Sequence, residues 1–427
     1  MSQNYFNPSC FGIEDPNVRV VSAKSCIINH QITDVICGYL TTKNLPICPY
    51  CHAHQVIRNG FRESKIHLTN AGEHQRLLYL KKQRWLCHHC QRTFGPQTNL
   101  TAGHDSLSRS LKSQIMNLVR LGTPASHISL IMHCSTSTVI RTINDRIELH
   151  RRVARLPQNL CFDEFRSVKH TMSFVCCDAV SHQLIVKLSN RLSKSIIDYF
   201  ENRYSVAERQ RVKTVVVDMN AQYSHFIHRL FPKAQIIIDR FHITQLAGRA
   251  LDSARIQTIK GLKDHHARIY RIMKSQWRLF HKDYTQIDAI KPVYLRGINE
   301  YMTQQNAIDL VLNHFTKFND VYQTYQYLMH VIKIRNVQEM SELLDTYQPL
   351  HNQMDIVIHT LRYYRHYILN SLIYPYSNGP IEGLNRKIKD LKRHCYGFRN
   401  LTNFFKRVDY RMKLATQLVA NKKRHSA

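Results

Sequence analysis

Residues 213–218 read KTVVVD, a β-branched run that ends in an acidic residue, and residues 235–239, QIIID, repeat that pattern. Residues 160–165 read LCFDEF, an apolar run that is interrupted by two acids. Short apolar runs rich in β-branched residues predict buried strands. Such strands bring their terminal carboxylates to the edge of a sheet, where ligands and metals bind. These three runs therefore predict both a sheet and a site.

Around these runs, further segments extend the pattern. Residues 172–180 and 183–188 predict strands, and residues 193–204 and 221–230 predict helices. The resulting order, β-β-β-α-β-α-β, is typical of an α/β layer with a mixed sheet.

The rest of this half of the chain favours helices. Residues 243–370 show no strand-like alternation, and Pro292 predicts a break. Residues 378–380, NGP, predict a turn, after which residues 381–395 and 401–420 predict two basic helices. We expect Trp277, beside Arg278, to be a core residue rather than a base-stacking one.

The charge of the 427-residue chain indicates a polyanionic partner. It has 60 Lys and Arg against 30 Asp and Glu, a formal net charge of +30. A surplus of that size repels itself unless a polyanion neutralises it, which argues against a small-molecule enzyme with a neutral surface. Hydrophobic residues make up 43%, enough for a sizeable core. We expect no secretory signal, no transmembrane helix and no membrane partner.

Four of the twelve cysteines form two tight pairs, Cys48 with Cys51 and Cys87 with Cys90. Two CxxC knuckles can build the tetrahedral sulfur cage that zinc prefers, and strand-like runs lie between them. We expect a structural Zn²⁺ in a small β module. Four free core cysteines remain the alternative, and nearby histidines are candidate substitute ligands: His52, His54, His88 and His89.

Three short helices are predicted after this module, at residues 106–121, 124–133 and 135–147. Their lengths and tight turns favour a helix-turn-helix, although an ordinary three-helix unit has the same pattern. In a helix-turn-helix the third helix meets base edges and phosphates in the major groove. The candidate DNA-binding residues on it are Ser135, Thr136, Ser137, Thr138 and Arg141.

Three carboxylates are unusual for their positions. Asp163 lies inside an apolar strand, Asp218 ends one, and Glu382 opens a basic helix. A carboxylate in an apolar strand is costly unless a cation or hydrogen bonds compensate it. Mg²⁺ binds a few carboxylates together with water and substrate phosphate, and two such ions can support phosphoryl transfer. Surface ion pairing and helix capping are the alternatives for each acid taken alone.

Taken together, several strings resemble the bacterial DDE transposases of the ISL-three insertion-sequence family. The resemblance covers nearly the whole chain from about residue 45. Its most specific part is the last string, in which turn, glutamate and basic helix occur together. The strings are the two CxxC pairs, FDEF at 162–165, VDMN at 217–220, DRFH at 239–242 and SNGPIEGLN at 377–385.

The resemblance implies a ribonuclease-H-like core with a helical insertion, in which Asp163, Asp218 and Glu382 are the catalytic acids that hold Mg²⁺ or Mn²⁺. Asp239 and His242 would support the site. Further basic residues would neutralise phosphates: Arg386, Lys387, Lys389, Lys392 and Arg393. The implied partners are the terminal inverted repeats of the element and target DNA, and a homo-oligomer is expected on DNA.

The predicted architecture is a multidomain α+β chain. Its divisions are an N-terminal segment of unknown role (1–44, with a strand at 18–29 and a helix at 32–40), a zinc module (45–100), a helix-turn-helix (101–152), the core (153–245), the helical insertion (246–370) and the last part of the core with basic helices (371–427).

The predicted function is Mg²⁺-dependent DNA cleavage and strand transfer by a bacterial, cytoplasmic, nucleoid-associated transposase. Two alternatives stay open. One is a catalytically silent, sequence-specific DNA-binding regulator derived from such a transposase. The other is a structural nucleoprotein that coats nucleic acid by charge alone.

Overall fold

The computed structural model describes residues 6–42, 45–103, 105–149, 153–219, 221–349 and 351–425, without the side chains of residues 221–222 and 414–425. Asn220 of the VDMN string lies outside the described residues. The chain divides into two compact units. The first comprises Met1–His150 with Ile388–Ala427, and the second comprises Arg151–Lys387.

The fold mixes strands and helices in both units. The strands are β1 Val18–Ile28, β2 Gln31–Leu40, β3 Val56–His67, β4 Gln75–Cys87, β5 Thr93–Phe94, β6 Asn159–Arg166, β7 Met172–Asp178, β8 Leu184–Lys187, β9 Thr214–Val217, β10 Gln235–Ile238, β11 Val293–Leu295 and β12 Glu300–Met302. The helices are α1 Arg109–Leu121, α2 Ala125–Ile131, α3 Thr136–Arg146, α4 Ser193–Arg203, α5 Val206–Arg209, α6 Ala221–Leu230, α7 Arg240–Lys260, α8 Arg268–Ser275, α9 Trp277–His281, α10 Gln304–Leu312, α11 Thr316–Ile334, α12 Val337–Thr346, α13 Gln353–Tyr363, α14 Arg365–Ile373, α15 Gly379–His394 and α16 Leu401–His425.

The first unit contains one five-stranded sheet in the order β1-β2-β4-β3, with β5 paired to β4. Strands β2 and β4 run parallel, and the other pairs are antiparallel. The prediction of a helix at residues 32–40 is therefore wrong. This segment is β2, and its β-branched residues Ile32, Thr33, Val35 and Ile36 favour a strand. Because β1 and β2 share the sheet with β3 and β4, the predicted boundary at residue 44 separates no structural unit.

Three helices follow the sheet within a few residues of their predicted limits. Ser108 caps α1, its Oγ accepting the backbone N–H of Leu111 at 3.2 Å, and Gly122 with φ 91° ends the helix. Buried side chains from all three helices form one small core, for example Ile115, Ile128 and Val139.

Helix α16 completes this core, which the sequence did not predict. The Arg407 guanidinium donates to the carbonyl oxygen of Thr123 at 2.8 Å, and the Lys406 ammonium donates to that of Asn144 at 2.8 Å. Tyr410 packs against the same apolar cluster. Residues 388–427 thus belong to the first unit, whereas the predicted division assigned residues 371–427 to the catalytic core.

The second unit contains a mixed sheet in the order β10-β9-β6-β7-β8. Strands β6, β7 and β8 are antiparallel neighbours, and β6, β9 and β10 are parallel ones. The element order is the predicted one except for an added short helix, α5, between α4 and β9. A cluster of fully buried rings holds helices to one face of the sheet, with the ring of Phe162 4.9 Å from that of Phe174 and 5.8 Å from that of Phe200.

Helices α7 to α14 share the largest apolar core of the unit. The expectation of an entirely helical segment is wrong at one point, because β11 and β12 form a two-stranded antiparallel ribbon. Each of these strands has three residues, too few to show an alternating pattern in the sequence, and Gly297 with φ 92° supplies the turn between them. Among the helices of the described ranges, none has the length and apolar character needed to cross a bilayer.

Candidate active site

The four paired cysteines meet at one end of the first sheet. The Sγ atoms of Cys48 and Cys90 lie 3.6 Å apart, as do those of Cys51 and Cys87, and all four lie within 4.8 Å of one another. Zn–S bonds of about 2.3 Å in a tetrahedron require S–S distances of about 3.8 Å. The cluster therefore fits a structural Zn²⁺.

The surroundings of the cluster act in opposite directions on two of its thiols. Burial opposes ionisation of Cys48, but backbone N–H groups of Cys51 and Tyr50 lower the pKa of its thiol to about 6. The backbone N–H of Ala53 lowers the pKa of Cys51, but burial and hydrogen bonds with the neighbouring thiols raise it to about 12. Buried Trp85 and Val56 cover the cluster. Among the described residues, no histidine joins this group, so the four candidate histidines are neighbours rather than ligands.

Strand register brings Asp163 and Asp218 together in the second unit. Strand β6 pairs in parallel with β9, with Leu160 opposite Val215 and Cys161 opposite Val216. Continuing this register by two residues sets Asp163 opposite Asp218, which follows the last residue of β9. Two carboxylates from neighbouring strands thus lie side by side at one edge of the sheet.

The charge of Asp218 affects the ionisation of the Asp163 carboxyl. Burial and the charge of Asp218 raise the pKa of the Asp163 carboxyl to about 7, although its Oδ1 accepts the backbone N–H of Glu164 at 2.7 Å. The charge of His242 opposes this rise only in part.

His242 connects Asp218 to the third predicted acid. Its Nε2 lies 2.8 Å from Oδ1 of Asp218, and this hydrogen bond raises the pKa of the imidazole against the opposing effect of burial. Side-chain ligand atoms of Asp239, His242 and Glu382 all lie within 4.8 Å of one another.

Glu382 therefore lies next to Asp239 and His242, the two predicted supporting residues. Within the described part of the chain, Asp163, Asp218 and Glu382 do not form a group of three as tight as 4.8 Å. His242 instead links the predicted acids: it contacts Asp218 directly, and it lies within 4.8 Å of Glu382.

Two asparagines, which sequence reasoning missed, hold the aspartates. The Asn378 amide donates to Oδ1 of Asp218 at 2.8 Å, and the Asn385 amide donates to Oδ2 of Asp163 at 2.6 Å. Both are buried, and among the described residues their carbonyl oxygens have no hydrogen-bond partner. The two asparagines are seven residues apart, about two helical turns, with Glu382 between them. This spacing is the feature of the sequence that could have identified them.

A cavity of about 480 Å³ opens in front of the aspartates. Arg249 lines it, with its guanidinium donating to Oε1 of Gln245 at 2.8 Å. Glu164 also lines it and is held by Arg191 at 2.6 Å and by the Tyr223 hydroxyl at 3.1 Å. The remaining lining residues are Met172, Met219, His242, Leu246 and Thr360. The lining of the cavity thus combines carboxylates with the guanidinium of Arg249, as a site for a metal and a phosphate ester would require.

The predicted DNA-contacting residues are mostly exposed. Ser135 precedes α3 and caps it, accepting the Thr138 N–H at 3.1 Å, while the Arg141 guanidinium donates to Thr138 Oγ1 at 3.3 Å. Exposed positions on α3 and α15 are Thr136, Ser137, Arg141, Arg386, Lys387, Lys389 and Arg393.

Trp277 corrects one expectation. It is exposed rather than a core residue, and its ring lies 4.8 Å from the guanidinium of Arg278 and 5.7 Å from the ring of His281.

Two family models match parts of this chain. The model of the ISL-three family, written ISL3 and described as a transposase, matches residues 160–408, more than half of the chain. A second model, described as the zinc-finger of transposase IS204/IS1001/IS1096/IS1165, matches residues 44–90.

The transposase for insertion sequence element IS1001 of Bordetella parapertussis is 25% identical over 268 residues, 58% of this chain and 59% of that protein. A Lactococcus lactis subsp. lactis protein named "ATP-dependent protease" is 34% identical over 115 residues, 27% of this chain and 37% of that protein. The chain thus spans less than two thirds of the length of either curated relative.

The solved Drosophila P element transposase strand transfer complex gives a TM-score of 0.36 at 11% identity, covering 73% of this chain and 92% of that one. This TM-score is too low to establish a shared fold. The match to the family model over residues 160–408, with the zinc-finger match before it, shows that the chain belongs to the ISL3 family of transposases.

Proposed function

We propose that this chain is an active DNA transposase that cuts the ends of an insertion sequence and joins them to target DNA. The observation that carries the proposal is the pair Asp163 and Asp218 at the edge of the sheet, each of which accepts a hydrogen bond from an asparagine amide. Glu382 lies between these two asparagines in sequence. Phosphoryl transfer needs positioning and charge stabilisation more than covalent chemistry by the protein.

The sheet of the second unit supports a ribonuclease-H-like core. Three antiparallel strands, β6 to β8, are extended on one side by the parallel strands β9 and β10. In this interpretation α7 to α14 contain the helical insertion, and α15 returns Glu382 to the edge where β6 and β9 present their acids.

The residues fit a divalent cation such as Mg²⁺ or Mn²⁺. The carboxylates are hard oxygen donors, and the raised pKa of Asp163 reflects its burial and the nearby charge of Asp218, both of which a bound cation would offset. The buried carbonyl oxygens of Asn378 and Asn385 are further acceptors without a donor. Asp163, Asp218 and Glu382 would hold the metal. When bound, it would supply an activated water or 3′-hydroxyl and stabilise the leaving oxygen.

The other residues around the cavity have roles of their own. Asn378 and Asn385 fix the two aspartates in place through one hydrogen bond each. His242 and Asp239 form a second layer that orients Asp218 and Glu382. Arg249 presents a guanidinium, suited to bidentate contact with a phosphate, to the same cavity.

Recognition of DNA is assigned to the first unit and to α15. Helices α1 to α3 would act as a helix-turn-helix in which Ser135, Thr136, Ser137, Thr138 and Arg141 approach base edges and phosphates. Exposed cations on α15 would neutralise phosphates: Arg386, Lys387, Lys389 and Arg393. As transposition needs two ends held together, we expect a homo-oligomer on DNA.

The proposal is tested with end cleavage by the purified full chain on duplexes that carry the inverted repeats flanking its gene. Asp163→Asn, Asp218→Asn and Glu382→Gln should each abolish Mg²⁺-dependent cleavage and strand transfer while DNA binding persists. The matched control is Glu201→Gln, which removes a surface pair with Arg229 and should leave cleavage unchanged. Full cleavage by any of the three variants would remove that residue from the catalytic role.

The regulator alternative makes a different prediction. A correctly folded chain that binds its own repeats tightly but gives no strand transfer in Mg²⁺ or Mn²⁺ would favour it. The Lactococcus match does not support the hypothesis that this chain is an ATP-dependent protease. The sequence contains no Gly-Lys dipeptide and hence no phosphate-binding loop of the G-x-x-x-x-G-K type.

A further inference from the structure

One cavity of the first unit lies on the zinc-bearing sheet, and no residue of α3 lines it. It has a volume of about 670 Å³ and is bordered by β3, β4 and the chain segments that follow β5. Four cations line it, Arg62, Lys65, Lys82 and Arg84, and the ammonium of Lys65 lies 5.9 Å from the ring centroid of Tyr79. We call this cavity the basic cleft, and neither the predicted helix-turn-helix nor the proposed catalytic acids use it.

Strand register concentrates the positive charge. Arg62 of β3 is the direct cross-strand partner of Lys82 of β4, and Arg84 follows two residues later on the same face of β4. Like charges placed directly opposite each other destabilise a strand pair. Burial and the charge of Arg62 lower the pKa of the Lys82 ammonium, a second sign of the same unfavourable pairing.

Carboxylates of the protein do not neutralise this arrangement. Within the described residues, Arg62, Lys82 and Arg84 take part in no ion pair. Asp105 also borders the cleft, but it pairs with the ammonium of Lys112. Glu63 lies across from Lys81 on the other face of the hairpin. The energetic cost of opposing cations indicates an anionic partner supplied from outside the chain.

The spacing favours a repeating anion. Two residues advance about 6.6 Å along a strand, which is close to two nucleotide steps of about 3.4 Å along one strand of duplex DNA. Side chains of Ser64 and Thr93 add hydroxyl donors, and Phe94 adds an apolar wall. Phosphate oxygens are the usual acceptors for such a combination of cations and hydroxyls.

We propose that the basic cleft binds the sugar-phosphate backbone of duplex DNA and is a second DNA contact, independent of α3. It deepens the proposed function, since a transposase must hold DNA beyond the bases that it recognises. Backbone contacts of this kind carry no sequence information and position the protein on the duplex.

The test compares two double variants of the full chain that lose the same charge. Arg62→Gln with Lys82→Gln removes the opposed pair in the cleft. The matched control, Lys24→Gln with Lys81→Gln, removes two exposed cations from β1 and from the opposite face of β4. The probe is a labelled duplex of about 20 base pairs of random sequence, titrated between about 50 and 200 mM salt.

The slope of log affinity against log salt should fall by about 2 for the cleft variant, since each phosphate contact contributes about 0.9. The control should change the slope by much less, because exposed charges more than about 10 Å from the DNA are screened. Equal slopes for the two variants, or no loss in the cleft variant, would overturn the proposal. Unchanged zinc content in both variants verifies the fold of the sheet.

Failure of this inference and failure of the proposed function are distinguishable. If Asp163→Asn abolishes cleavage while the cleft variant binds like wild type, the enzyme stands and the cleft does not bind DNA. If the slope falls as expected but the wild-type chain cuts no DNA end, the cleft stands and the catalytic proposal does not.

Discussion

Asp163 and Asp218 are close to each other because of strand register. The sequence indicates this arrangement, since each acid belongs to a short apolar run and neighbouring parallel strands end at one edge. The asparagine contacts could not be predicted in the same way. The NGP triplet at 378–380 is typical of a turn, and only the fold reveals that Asn378 and Asn385 face two aspartates more than 150 residues away in sequence.

The paired aspartates should make the metal-free chain less stable above neutral pH. The pKa of Asp163 in the folded chain, about 7, lies above its ordinary value of 3.8, so the folded state binds this proton more tightly than the unfolded state. The free energy of unfolding therefore falls as pH rises from about 4 to about 7 and is level above that range. Asp163→Asn should then stabilise the chain at about pH 8, by less than about 4 kcal/mol, and have little effect at about pH 4.

Denaturant unfolding in EDTA measures this difference. Asp198→Asn, on the exposed side of α4, is the control and should show no such dependence on pH. An equal effect of Asp163→Asn at both pH values would contradict the assigned cause.

Asn385 should matter for metal affinity more than for folding. Its amide orients the Asp163 carboxylate at 2.6 Å, and loss of an outer partner of a metal ligand typically costs about 10–100-fold in affinity or activity. Asn385→Ala should therefore shift the Mg²⁺ concentration for half-maximal cleavage upward by that order, with partial recovery at saturating Mg²⁺. The exposed Asn313→Ala serves as control. A lowered rate with an unchanged Mg²⁺ requirement would argue against this positioning role.

Secondary structure elements differ in how far the sequence determines them. Helices α1 and α3 have amphipathic patterns and begin at serine caps, and Gly122 ends α1, so these limits follow from local chemistry. Strands β11 and β12 are too short to be recognised. The association of α16 with α1 and α3 depends on contacts between segments far apart in sequence, such as Arg407 with Thr123, and no local pattern encodes these.

The zinc knuckles should stabilise the first sheet as an element. Cys48→Ser with Cys51→Ser removes two of four ligands and should abolish the roughly one zinc per chain that metal analysis would find. It should also lower the thermal stability of the sheet, since metal binding contributes directly to folding in such modules. Cys10→Ser with Cys26→Ser, outside the cluster, should keep the zinc. Retention of zinc by the first double variant would reject the four-cysteine ligand set.

At the scale of the whole molecule, the net charge of +30 would account for the proposed affinity for DNA but not for a choice of sequence. A protein that coats nucleic acid by charge alone would bind any duplex with similar affinity. A transposase that recognises its own ends should prefer them over random duplex by about 1,000-fold or more at physiological salt. The two functions are therefore separated by a ratio of affinities, not by the affinity itself.

Neutral changes on α3 should lower this ratio without changing the contribution of charge. Thr136→Ala with Ser137→Ala removes two exposed hydroxyls and no charge. Each lost base contact is worth about 1–3 kcal/mol, so binding to the inverted-repeat duplex should weaken about 10-fold or more. Binding to random duplex, and its salt slope, should stay as in wild type. Competition titrations with both duplexes measure the ratio, and a wild-type ratio near one would favour the structural nucleoprotein.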